Sequence, residues 1–339
     1  MEPLNAFDFE ALARERLDGM AWEYFRGGAG DETTLRENRA AFDRLKLQPR
    51  VLVDVTDVDT STTVLGTPVA APVLVAPVAL QKLAHPDGEA ATARAAAAAG
   101  TIMILSTSAT MRPAPVAAAA DAAARWFQIY VFRDRAVTQA LIDEACASGY
   151  SALVLTVDVP ILGRREGALR SGFHIPDELE VAGDIFDDID PSVSWRDVEW
   201  ITGHGLPVVL KGILTPEDAL TAVEHGAAGV VVSNHGGRQL DGVPASIEAL
   251  PRVAEAVDGR CEVLLDSGVR RGVDVLRALA LGARAVLVGR AAVYALAAGG
   301  EEGVAQLLRL LREEVELGLR LLGCTSVDQV AQEHVRWSP

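Results

Sequence analysis

From Val73 onward the chain alternates short β-branched apolar runs with Ala- and Leu-rich stretches of helical period. This is the pattern of parallel strands joined by crossover helices. The runs are Val73 to Ala79, Ile102 to Ser108, Trp126 to Val131, Ala152 to Val159, Pro207 to Ile213, Gly229 to Asn234, Glu262 to Gly268 and Ala285 to Gly289. Eight units over about 230 residues predict an α/β fold of the TIM (β/α)8 barrel type, in which active sites gather at the C-terminal ends of the strands. An open doubly wound sheet would carry a glycine-rich dinucleotide turn after its first strand, and APVALQKLAHPDGE contains no GxGxxG.

The remaining segments add to a single domain. Residues 1–72 show helical period around 8 to 26 and 31 to 43, then the alternation VDVTDVDTSTTVLGTPV, which predicts a hairpin covering the bottom of the barrel. The barrel occupies 73–300, and 301–339 reads as C-terminal helices. The connection after the fourth strand, about 166–205, is long for a βα loop and holds seven acids between Asp177 and Asp190. It is expected to act as a lid or to be disordered.

Composition narrows the function. The chain has 339 residues, half of them hydrophobic, enough for one large core. With 47 acidic against 31 basic residues the net charge of −16 repels phosphate backbones, so no nucleic-acid partner is expected. Cys146, Cys261 and Cys324 suit neither a disulfide framework nor a metal site, which points to reduced thiols in a cytoplasmic protein and to no bound metal. The N-terminus lacks a basic region followed by an apolar block. The Ala-rich tracts at 95–99 and 116–124 are too short to span a bilayer, so no membrane association is expected.

Polar residues stand where the strands should end. Ser106, Gln128 and Tyr130, Thr156 and Asp158, Lys211, His235, Asp266, and Gly289 with Arg290 follow or interrupt successive apolar runs. A polar group at the end of a buried strand needs a partner, and so many together imply one shared ligand that is large, polar and partly anionic. Glycines with Arg270 and Arg290 after the last two strands suit a phosphate. Arg271 reads as a solvated surface charge. Arg165 and Arg238 can converge on one carboxylate, which a planar guanidinium grips in bidentate fashion. His235 can exchange a proton near neutrality. His85, His174, His204, His225 and His334 lack such a setting.

The stretch SNHGGRQLDG at 233–242 resembles the signature of the FMN-dependent 2-hydroxy acid oxidases and dehydrogenases. So do YFRGGAGDETTLREN, APVALQKLAHPDGE, WFQIYVFRD, LTVDVPILGRRE, VVLKGI, DSGVRRG and GRA, and together they cover nearly the whole chain. The resemblance implies FMN-dependent oxidation of an L-2-hydroxy acid to the 2-oxo acid, O2 or another electron acceptor, and a homotetramer. It assigns His235 as base, Asp158 as the carboxylate that orients it, Tyr130 to the substrate hydroxyl, and Tyr24, Arg165 and Arg238 to the substrate carboxylate. Lys211 would face the N1 and O2 edge of the flavin, with Ser106, Gln128 and Thr156 on other edges and Ala76, Pro77, Val78 and Ala79 against N5. Asp266, Gly268, Arg270, Gly289 and Arg290 would hold the ribityl phosphate.

There are departures from the family pattern. Val78 stands where many relatives have Thr, and DSG replaces DGG, placing Ser267 near the phosphate. Ser108 stands where short-chain glycolate oxidases carry Trp. That favours a larger, mandelate-like acid. The alternatives are a dehydrogenase of the same family, another FMN barrel such as type 2 isopentenyl diphosphate isomerase, and a non-catalytic phosphate-binding barrel.

Overall fold

In the computed structural model, which describes residues 2–121, 123–176, 179 and 188–338, all eight runs pair in parallel and close on themselves. The strands are β1 Val73–Val75, β2 Met103–Leu105, β3 Arg125–Ile129, β4 Leu153–Thr156, β5 Val208–Ile213, β6 Gly229–Val232, β7 Glu262–Leu265 and β8 Ala285–Val288, with β8 pairing back onto β1. Each face of a parallel barrel strand is covered, which is why the runs read as continuously apolar. Alternate residues divide between two clusters. Leu74, Ile104, Trp126, Val154, Val209, Val231, Leu264 and Leu287 share the inner one, while Val75, Leu105, Phe127, Leu155, Leu210, Val232, Leu265 and Val288 pack outward with the helices.

The ladders are shorter than most of the apolar runs. β1 stops at Val75 although the run continues to Ala79, because the chain there leaves the ladder to line a cleft.

The expected hairpin is present but confined to Thr62–Val64 and Thr67–Val69. Leu65 and Gly66 both take positive φ (46° and 74°), the turn that matches strand twist. Val64 and Val69 join the inner cluster and so close the barrel floor, whereas Val53 at the start of the same alternating stretch, and Val51 and Leu52 just before it, stand exposed.

The N-terminal segment forms three helices, α1 Ala6–Arg16, α2 Gly19–Arg26 and α3 Thr33–Arg44, rather than two. Asp18 interrupts the first stretch: its carboxylate accepts from Ala21 N at 2.8 Å and caps α2. The stretch Arg290–Leu322 is two helices that meet in a kink at Gly299 and Gly300, neither of which has helical φ and ψ, so a helix ends where the barrel was expected to give way to the C-terminal helices. Beyond it Val335–Trp337 pairs antiparallel with Leu45–Leu47. The connection after β4 contains helices Glu166–Arg170 and Trp195–Thr202. Most of its acidic stretch lies outside the described residues. Among those described, no helix is long and apolar enough to cross a membrane, and no group of His, Cys, Asp or Glu is arranged to hold a metal.

Candidate active site

The strand period that fills the barrel also builds its mouth. Two residues beyond the inner apolar positions Trp126, Val154, Val209 and Leu264 stand Gln128, Thr156, Lys211 and Asp266, on the same inward face. One further step of two reaches Tyr130 and Asp158. From β1 and β2 the same count gives Ala76 and Val78, then Ser106 and Ser108.

These residues converge on one cleft at the mouth of the barrel, the kind of concave site that small molecules and cofactors occupy. Tyr24, Ala76, Pro77, Val78, Ala79, Ser106, Gln128, Tyr130, Thr156, Arg165, Lys211, His235, Arg238, Asp266, Gly268, Arg270, Gly289 and Arg290 all line it. Of the expected site residues only Asp158 does not. It stands behind His235, with Oδ1 3.0 Å from Nδ1.

His235 has φ of 58°, a conformation that non-glycine residues adopt at a cost of roughly 1–3 kcal/mol and only when the surroundings enforce it. Its amide donates to Ser233 Oγ (3.0 Å) and its ring to Asp158. Asn234 exchanges two amide hydrogen bonds with Asn38 of α3, at 2.8 and 2.7 Å, and accepts from Gly237 N. Gly236 and Gly237 also have positive φ. A Cβ would lie 2.6 Å from Arg290 Nη1 at the first and 2.6 Å from Leu35 N at the second. The glycines are therefore required by the close approach of Arg290 and α3.

Burial pushes the His235 pKa down and the Lys211 and Arg165 charges add to this, against the opposing pull of Asp158. Burial alone would raise Asp158, but the charge and hydrogen bond of His235, with Lys211, hold it below the usual carboxylate range. The resting pair is an ionised carboxylate beside a neutral imidazole. Nδ1 then carries the proton, and Nε2 is left as the free base.

The cleft is rich in positive groups that lack acids. Arg238 donates to Tyr24 O (2.7 Å) and Gly27 O (3.0 Å) and lies over the Tyr24 ring, 5.1 Å from its centroid. Arg165 contacts the Arg238 carbonyl at 3.4 Å. Arg290 donates to Phe25 O, Gly236 O and Gly27 O. None of the three has a carboxylate partner among the described residues. Burial, with Arg165, pushes Arg238 well down, and burial pushes Arg290 down to about 10. Desolvated cations of this kind are poised for anions. Lys211 differs: its Nζ is 3.1 Å from Asp266 Oδ2 and donates to Ser233 Oγ at 3.1 Å. Burial raises the Tyr130 pKa and keeps the phenol protonated.

Several supports escape a reading of single residues. Glu89, fully buried, accepts from Gln81 N (3.1 Å) and Thr110 N (2.9 Å) and so ties the loop after β1 to the loop after β2. Asp274, also fully buried, accepts from the amides of Arg270 and Arg271 and shapes the arginine turn. An acid inside an Ala-rich or apolar helical stretch was the available signal for both. Arg271 is not merely solvated, since its Nε pairs with Glu314 at 2.8 Å. Gly212, at the irregularity in β5, has φ of 113°, and a Cβ there would meet Asp158 at 2.6 Å.

The profile of the FMN-dependent dehydrogenases matches residues 13–337. An L-lactate oxidase of Nostoc sp. is 47% identical over 97% of this chain and 96% of its own length. A glycolate oxidase of Spinacia oleracea is 47% identical over 99% and 96%. Among solved structures, a mandelate oxidase variant with (S)-mandelic acid superposes with a TM-score of 0.95 at 45% identity, covering 100% of both chains. Mandelate oxidase with benzoyl-formic acid gives 0.94 at 46% identity over 99% of this chain and 98% of the other.

Proposed function

The chain belongs to the FMN-dependent dehydrogenase family, and on that premise we propose an oxidase of an aromatic (S)-2-hydroxy acid in which His235 is the base and Arg165 and Arg238 grip the carboxylate. At the level of the family the activity is FMN-dependent oxidation of an (S)-2-hydroxy acid to the 2-oxo acid, with FMN as cofactor. The observation that carries the finer reading is the pair of guanidiniums without acids, sharing one cleft with the imidazole.

The residues of the cleft suit FMN. Gln128 Nε2 is a buried donor with no partner among the described residues, as is the Ser108 hydroxyl, and a ring edge bearing acceptors would satisfy such donors. At the far end Arg270 and Arg290 with Gly268 and Gly289 suit a phosphate. Ser106, Gln128, Thr156 and the backbone from Ala76 through Pro77 and Val78 to Ala79 would hold the ring, Lys211 would meet the edge that gains negative charge, and Gly268, Arg270, Gly289 and Arg290 would hold the ribityl phosphate; Asp266, expected among the phosphate ligands, is an anion paired with Lys211 and serves the cofactor through that pair instead. When bound, FMN supplies the two-electron acceptor.

The protein supplies the rest. Arg165 and Arg238 orient the carboxylate, with the Tyr24 phenol beside them and Tyr130 toward the hydroxyl. His235 Nε2 takes up one proton from the acid, and the two electrons with the second proton would go to bound FMN. Asp158 stabilises the imidazolium so formed, which burial would otherwise disfavour. The electrons pass on to O2, giving hydrogen peroxide.

Because the His235 pKa is lowered, its base form predominates at neutral pH. Flavin reduction followed in a rapid-mixing spectrometer should be flat above about pH 7 and fall tenfold per unit only below about pH 6.5. An apparent pKa above 7 for that limb contradicts a neutral resting imidazole.

The aromatic preference is supported by the small, buried Ser108 in the cleft wall and by mandelate oxidase structures carrying (S)-mandelic and benzoyl-formic acids. Purified protein should be yellow and bleach anaerobically with mandelate faster than with lactate or glycolate, then release peroxide on aeration. An oxidised spectrum that persists with all three acids overturns the assignment. Ser108→Trp should lower kcat/KM for mandelate by roughly tenfold or more while largely sparing glycolate. The same reading includes a cytoplasmic homotetramer, for which the exposed Val51 and Leu52 offer an apolar contact; light scattering tests the assembly.

A further inference from the structure

Ser267 sits in the left-handed region, φ 72°, that ordinarily favours glycine. Its hydroxyl does not turn outward. It accepts from Gly236 N at 3.0 Å and donates to Asp266 Oδ1 at 2.7 Å. The preceding amide of the same loop, His235 N, donates to Ser233 Oγ, which also receives Lys211 Nζ. Two consecutive amides of the imidazole loop are thus tied, through two serine oxygens, to the two ends of the buried Lys211–Asp266 ion pair.

We propose that Ser267 is a positioning residue that couples the His235 loop to this ion pair and, by occupying one oxygen of Asp266, leaves more of the Lys211 charge available to the flavin. The proposal rests on the assignment of Lys211 to the flavin edge. A hydroxyl proton on Oδ1 draws negative charge away from Oδ2, the oxygen that faces Lys211. Without that proton Asp266 neutralises the ammonium more completely, and an electron-rich ring beside it is stabilised less. Ser246 Oγ holds the backbone carbonyl of Asp266 and Lys211 Nζ holds its Oδ2 at 3.1 Å, so both the backbone and the carboxylate keep a tether when the serine is replaced.

Sulfite is the probe, because it adds to oxidised flavin and leaves negative charge on the ring. In the FMN-loaded protein both Ser267→Ala and Ser267→Gly should raise the sulfite dissociation constant by about threefold to tenfold and lower the flavin midpoint potential. The apoproteins should diverge, with Ser267→Gly melting higher than Ser267→Ala because only glycine relieves the left-handed backbone. Parental sulfite affinity in both variants overturns the coupling. So does a shift confined to Ser267→Gly, which would be an effect of backbone alone. Lys211→Gln, or Lys211→Arg should the first not fold, separates the two levels. Parental sulfite affinity there overturns the assignment of Lys211, whereas weakened affinity there with a parental Ser267→Ala removes only the coupling.

Discussion

Replacing His235 with alanine should slow flavin reduction by the hydroxy acid about 10²–10⁴-fold, the usual contribution of a positioned base. The flavin should remain bound, since Gln128, Lys211, Arg270 and Arg290 are untouched. The expectation comes from three facts taken together. The ring lines the cleft, its Nδ1 is fixed by Asp158 at 3.0 Å, and its backbone is held at positive φ by Ser233 and the Asn38–Asn234 pair. Such a constrained imidazole presents one nitrogen to one place. Anaerobic rapid mixing with mandelate, alongside FMN content and the affinity of a non-reacting carboxylate, separates loss of the base from loss of the site. Reduction at the parental rate removes His235 from the mechanism.

The second large effect belongs to Arg238. Its exchange for methionine should lower kcat/KM by about 10²–10³-fold, since two charge-assisted hydrogen bonds to a carboxylate are together worth roughly 3–6 kcal/mol and part of that is recovered by Arg165. Lysine at this position should restore little, because it retains the charge but not the planar fork. Arg238 also clasps the carbonyls of Tyr24 and Gly27. A melting temperature close to parental, together with partial recovery on adding free guanidinium, distinguishes the lost clamp from a loosened α2. If kcat/KM stays within threefold of the parent, the acid is bound elsewhere.

The barrel and most of its mouth were legible in the sequence for one reason. A parallel strand buried on both faces reads as an apolar run, and any polar side chain at its end stands out. Lys211 in PVVLKGI and Asp266 in EVLLDSG are conspicuous on those terms, and Gln128 and Thr156 follow by the period of two. What the pattern could not convey was partnership across the chain. Asn38 and Asn234 are 196 positions apart, and neither is unusual until they face each other.

Nor could the pattern show why two glycines follow His235, because the groups that crowd them, Arg290 and Leu35, come from other elements. Ser267 was placed near a phosphate, but its hydroxyl bonds to the imidazole loop and Asp266. Element ends were misplaced where a single side chain decides them. Asp18 splits one helical stretch into two, whereas the break at Gly299 and Gly300 falls where the barrel was expected to end.

The pairing of Leu45–Leu47 with Val335–Trp337 turns the carboxyl terminus into a clasp on α3. That helix carries Asn38, which braces the loop of the imidazole. Trimming the last few residues, or fusing a bulky tag hard against Trp337, would therefore be felt at a catalytic centre on the opposite side of the chain's connectivity. Affinity handles belong at the other end of the polypeptide.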